Sequence, residues 1–193
     1  MGRMEEIVDV AVRLFAEHGY KATTIAQIEA AAGLSPGSGG LYRHVPSKRA
    51  LLDAALERVL ASRRTAQTAP ALTAAVDLPS AVTAAARATL AYVDADRDLY
   101  RLILRSGNDL PIDIAETYER LFQPGFDEVA AWLHALTGGR PGFDAAAVAS
   151  VALSSLFYFA VSELTYGRPP GGIDRERFVA VWVDGLLAQL AAS

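Results

Sequence analysis

The chain has 193 residues, a net charge of −4 and no cysteine. Its length fits one large domain or two small ones, and 52% hydrophobic against 21% charged residues is a globular rather than a disordered composition. The missing cysteines exclude disulfide scaffolds, zinc fingers, iron–sulfur clusters and thiol nucleophiles together. Arg3, Glu5, Glu6, Asp9, Arg13 and Glu17 interrupt the first twenty residues, so no signal-peptide core forms and a cytoplasmic protein is expected.

The charge is uneven. Residues 1–64 hold nine basic and seven acidic side chains, a net of +2, and the remainder holds nine and fifteen, a net of −6. Residues 33–64 alone carry six basic and two acidic groups. A basic first portion on an acidic chain points to a polyanionic partner for that portion.

Helical periodicity runs through the whole sequence. Ile7, Val10, Ala11, Leu14 and Phe15 make one face of a first helix that ends at Gly19. Thr24 starts a second helix as N-cap, with Gln27 completing a capping box, and Ile25, Ile28 and Ala32 face inward until Gly33 ends it. A glycine-rich turn, Leu34 to Gly40, leads into Leu41-Tyr42-Arg43-His44-Val45. Pro46-Ser47 interrupts again, and Ser47 caps a helix running from Lys48 towards Arg64.

Pro70 and Pro79 in a weakly charged stretch place a domain boundary there, giving domains 1–64 and 65–193. Helices are expected near Ser80–Ala95 and Arg97–Ser106, then from about Pro111 to Thr137 with a break or kink at Pro124. Two long helices follow, about Asp144–Tyr166 and Asp174–Ala191. Each opens on an aspartate N-cap with a hydrophobic staple, Phe143 with Val148 and Ile173 with Phe178. Ala145 to Ser162 carries no charge, yet its six alanines and four serines and the absence of flanking basic clusters favour a buried soluble helix over a membrane span. The expected class is all-α, with about nine helices, no strands and no repeat.

A packing helix followed by two short helices around a tight glycine turn has the outline of a helix-turn-helix. Free N–H groups and the helix dipole favour phosphate at the helix starts near Thr24 and Ser47-Lys48, and Tyr42, Arg43, His44 and Lys48 offer further donors. The plain alternative is a helical hairpin with a solvated basic face. An enzyme is disfavoured: His18, His44 and His134 lie far apart, and no zinc-protease pair, phosphate-loop lysine or nucleophile elbow is present. No cofactor or metal is expected.

The run Leu14-Phe15-Ala16-Glu17-His18-Gly19-Tyr20-Lys21-Ala22-Thr23-Thr24-Ile25, then Ile28, Ala31-Ala32-Gly33-Leu34-Ser35 and Leu41-Tyr42-Arg43-His44-Val45-Pro46-Ser47-Lys48, resembles the DNA-binding domain of the TetR/AcrR family of bacterial transcriptional regulators. The resemblance covers about residues 4–60. It implies a homodimeric, ligand-responsive regulator, a repressor more often than an activator, bound to a palindromic operator in double-stranded DNA. It gives the reading role to the Ser38–His44 region and contacts to Thr24, Tyr42, His44 and Lys48, with Thr23, Ser35, Ser38, Gly39, Gly40 and Arg43 as further candidates. One departure stands out: the stretch from Ser35 to Leu41 is about two residues longer than the family's usual spacing. Gly37, Gly39 and Gly40 either allow close backbone approach to DNA or merely lengthen the turn.

The second domain resembles the family in architecture. The resemblance implies that the last two helices pair with their dimer mates, and the apolar faces agree, with Val151, Ser155, Phe159, Val181, Trp182, Gly185 and Leu186 as interface candidates. Tyr100, Phe122, Phe126, Trp132, Phe157 and Tyr158 are candidate walls for an unknown, mostly apolar effector, with Arg101, Arg105 and Glu163 as polar anchors; the same aromatics also fit a plain core. A helical dimeric interaction module without DNA binding remains the alternative class.

Overall fold

A computed structural model describes residues 2–37, 40–43, 45–65 and 77–192, and of residues 43, 63–65 and 108 the backbone alone. The described residues form eight α-helices and no strand: α1 (Arg3–His18), α2 (Ile25–Ala31), α3 (Lys48–Thr65), α4 (Leu78–Ala95), α5 (Arg97–Ser106), α6 (Ile114–Leu136), α7 (Ala145–Tyr166) and α8 (Arg175–Ala191). Short 3-10 turns lie at Leu41–Arg43, Gly107–Asp109 and Pro170–Gly172.

Short polar side chains set most helix starts. Thr24 accepts from the Gln27 N–H and Gln27 Oε1 accepts in return from the Thr24 N–H, the reciprocal box its spacing predicts. Ser47, Asp144 and Asp174 accept from the N–H groups of Ala50, Ala147 and Arg177. Asp77 and Asp113 do the same for Ser80 and Glu116, so α4 begins two residues before Ser80 and α6 three residues after Pro111.

Two expectations change. The helix is not broken at Pro124 but runs from Ile114 to Leu136 with the proline inside it, where it forgoes one ladder hydrogen bond. Leu41–Arg43 is a 3-10 turn where a third α-helix was expected, and just beyond it the Val45 N–H donates to the Leu41 carbonyl at 2.9 Å. Glycines before it and Pro46 after it leave too few residues for a stable α-helix. The count among described residues is therefore eight rather than about nine.

The chain divides into two units, Met1–Thr65 with Asp96–Thr117 and Ala66–Ala95 with Tyr118–Ser193. The first break falls beside residue 64, but the segment around α5 returns to the first unit. There α1 is the centre. Ile7, Ala11 and Phe15 are fully buried with Ile28, Leu41, Leu51 and Leu52, and α5 adds Leu99, Tyr100 and Leu102. Arg105 donates to the Ala16 carbonyl at 3.1 Å, and Lys21 pairs with Asp109. The apolar stripe of α5 fixes this return, since it covers the face of α1 that would otherwise meet water.

In the second unit α4 lies against α7 and α8. Ala81, Val82, Ala86, Leu90 and Val93 meet Ala149, Leu156, Phe159, Ala160, Val179, Val183 and Leu186 in one core. Arg140 donates to the Leu190 and Gln189 carbonyls, 3.1 and 3.2 Å, satisfying the end of α8. By length and composition alone, α7 is apolar enough to cross a membrane, and Ala149, Ala152, Leu156, Phe159, Ala160, Ser162 and Leu164 bury it in this core.

Candidate nucleic-acid interface

Helix α2 ends in a tight reversal. The Gly33 N–H meets the Ala30 carbonyl at 3.1 Å and the Leu34 N–H meets the Glu29 carbonyl at 2.8 Å. Gly33 takes φ +67°, open to glycine at little cost. Arg3 donates to the Ala32 carbonyl at 2.7 Å and closes the same helix end.

Past the turn, Leu41 and Val45 are buried one helical turn apart, 0% and 3% exposed. They anchor the short 3-10 element, and Tyr42 between them points outward at 57% exposure. An exposed aromatic hydroxyl on a buried anchor is suited to reach a phosphate or a base edge. Thr24, at the start of α2, is also exposed, with its hydroxyl on Gln27.

Lys48 is placed differently from a free surface cation. Its ammonium donates to the Tyr20 carbonyl at 2.7 Å and the Thr23 carbonyl at 2.9 Å, and sits 4.4 Å from the centre of the Tyr20 ring. Burial pushes its pKa below the ordinary lysine value and pushes the Tyr20 phenol up. The three donors of an ammonium leave one for an outside acceptor. Lys48 therefore ties the α1–α2 link to the start of α3.

Thr23 is 1% exposed, and its hydroxyl is directed at the Gly19 and Leu14 carbonyls, 2.9 and 3.2 Å. It holds the link and is not at the surface. Ser35 is exposed and Gly40 half-buried. Arg43 is described in its backbone only, and Ser38, Gly39 and His44 lie outside the described residues.

Glu29 was not singled out by its sequence position. It is fully buried, and its carboxylate accepts from the Gly37 N–H at 2.7 Å and the Leu41 N–H at 3.1 Å. Its place four residues after Ile25 and three before Ala32 marks it as inward-facing, a signal that the helical spacing already held.

The candidate effector residues fall in both units. Tyr100, Arg101 and Arg105 belong to the first, where Tyr100 is buried, Arg101 faces Asp98 at 3.6 Å and Arg105 holds Ala16. In the second, the rings of Phe122 and Phe157 meet edge-on at 5.0 Å, and Tyr118 lies 5.1 Å from Phe122. Phe126 and Trp132 are half-buried and Tyr158 is 61% exposed. Glu163 is taken by Arg175, which also pairs with Asp94; these hydrogen bonds, Asp94 first, hold the guanidinium pKa above its ordinary range.

Of the dimer candidates, Phe159 and Leu186 are buried in the chain's own core, and Phe159 stacks on Phe178 at 4.2 Å. Trp182 donates to the Ala152 carbonyl at 2.9 Å and the Ser155 hydroxyl at 3.1 Å. Val151 and Val181 are 68% and 73% exposed. Gly185 is exposed, and a Cβ added there would meet nothing within 4 Å.

Residues 7–55 match the family of bacterial regulatory proteins, tetR family. The chain is 46% identical over 59 residues to the HTH-type transcriptional repressor KstR2 of Rhodococcus jostii, a stretch covering 31% of this chain and 28% of that protein. The chain's matches span less than a third of the length of its curated relatives. Along the whole chain, the fold is similar to the TetR family transcriptional regulator PfmR from Thermus thermophilus, with TM-score 0.68, 24% identity and coverage of 94% and 97%. It is similar also to AibR, solved with isovaleryl coenzyme A and operator DNA, with TM-score 0.67, 19% identity and coverage of 95% and 97%. Residues 7–55 thus match the helix-turn-helix domain of the tetR family of bacterial regulatory proteins, and the fold of the whole chain is similar to that of solved TetR family regulators.

Proposed function

We propose that the chain is a cytoplasmic transcriptional repressor that binds a palindromic operator as a homodimer and leaves it when a small, mostly apolar effector binds. The observation that carries the reading is the exposed Tyr42, held by buried Leu41 and Val45 inside the matched helix-turn-helix domain. Thr24, Tyr42 and Lys48 are the phosphate contacts, and the family resemblance gives Arg43 and His44 to base reading. The exposed Val151, Val181 and Gly185 make the partner face, with α7 and α8 pairing onto a second copy. Phe122, Phe126, Trp132 and Phe157 line the effector site within the second unit. AibR, solved with both a small molecule and operator DNA, is a precedent for that pairing on the same fold. No enzymatic step, cofactor or membrane enters this reading.

Fluorescence anisotropy of labelled duplexes tests it. Binding at low salt that weakens steeply as salt rises supports the reading. Absence of binding to any duplex at low salt favours the helical interaction module instead.

A further inference from the structure

Glu29 is the one buried charged side chain among the described residues whose carboxylate is met by backbone N–H groups of the helix-turn-helix turn. Burial of a carboxylate is costly unless its oxygens are hydrogen-bonded. Here each oxygen has a donor, Oε2 from Gly37 and Oε1 from Leu41. One donor, Gly37, lies inside the glycine-rich turn, with φ +75°, and the other, Leu41, opens the 3-10 element that carries Tyr42. The carboxylate thus ties Gly37 to the first residue of the 3-10 element. Gly37 and Leu41 have no helical partner for these N–H groups at those positions, so Glu29 supplies what a regular helix would otherwise supply.

We propose that Glu29 is a positioning residue for DNA reading, fixing the turn so that Tyr42 and the residues beside it meet the duplex in one register. The inference rests on the DNA-binding reading above and adds a residue that no contact with DNA would reveal. Glutamine has the same shape but only one acceptor oxygen, and its NH2 group faces an N–H donor. A shape-preserving change therefore removes one bond and sets donor against donor.

The test uses the full chain and the duplex it selects from a random pool. Glu29→Gln lowers affinity for that selected duplex about tenfold or more, as loss of a charge-assisted bond at a positioned contact does. Affinity for a random duplex of equal length changes less than about twofold, because phosphate attraction needs no fixed register. Amide hydrogen exchange adds a readout that general destabilisation does not mimic: Gly37 and Leu41 exchange faster in the variant while α1 and α3 amides keep their rates. Equal loss on both duplexes, or unchanged exchange at the two amides, overturns the proposal. Should the variant not fold, exchange in the unmodified protein decides: slow Gly37 and Leu41 amides support the clamp, and rates of an open chain overturn it. Failure of the unmodified protein to select any duplex is a failure of the DNA-binding reading instead.

Discussion

Replacing Lys48 by alanine separates its bracing role, which the structure shows, from the phosphate contact proposed for it. The ammonium holds the Tyr20 and Thr23 carbonyls and lies over the Tyr20 ring. In a half-buried setting each bond is worth about 0.5–1 kcal/mol and the ring contact about 0.5–1 kcal/mol. The expected cost is about 2 kcal/mol, or roughly 4–8 °C in Tm for a chain of this size. The third donor is the one available to a phosphate. If it makes that contact, Lys48→Ala also lowers the slope of log affinity against log salt by roughly 0.9 for every duplex sequence. Thr23→Val is the control: it removes the hydroxyl bonds to Gly19 and Leu14, destabilises the same link and removes no charge. Anisotropy titrations at several salt concentrations, with thermal melts alongside, measure both effects. A lowered Tm with an unchanged slope refutes the phosphate contact and leaves Lys48 as a brace for the domain.

Other substitutions test separate parts of the account. Gly185→Leu meets open space in the single chain, so folding is retained and helix propensity rises by about 1 kcal/mol; sedimentation equilibrium then shows monomers that bind DNA poorly, and a full dimer places the partner face elsewhere. Gly33→Ala forces a side chain into φ +67° without any clash, so urea unfolding shows a loss of about 1–2 kcal/mol from conformation alone. Trp132→Ala changes the response to effector, read as release of bound duplex, while affinity without effector stays within about twofold; equal loss of both counts against the effector site.

Much of this fold is visible in short polar residues. Thr24 with Gln27, Ser47, Asp144 and Asp174 each cap the helix that their spacing predicts, because capping is a contact within four residues. What local pattern does not carry is long-range. The return of α5 onto α1 depends on a stripe whose partner lies far away in sequence. Lys48 reads as a free cation until the Tyr20 and Thr23 carbonyls are brought beside it. Thr23 and Thr24 are adjacent and alike, yet one is buried and the other exposed, since Thr24 is the N-cap of α2 and Thr23 belongs to the link before it. Arg175 takes Glu163 by folding α8 back beside the end of α4, which removes that carboxylate from the set of open anchors.

The central claim is that a second copy of the helix-turn-helix reads the second half of a two-fold site. Selection of bound duplexes from a random pool, followed by sequencing, tests it most directly. The account predicts an enriched palindrome whose half-sites are centred about one helical turn, or a multiple of it, apart. Enrichment of a single, unrepeated half-site, or of no sequence at all, contradicts it.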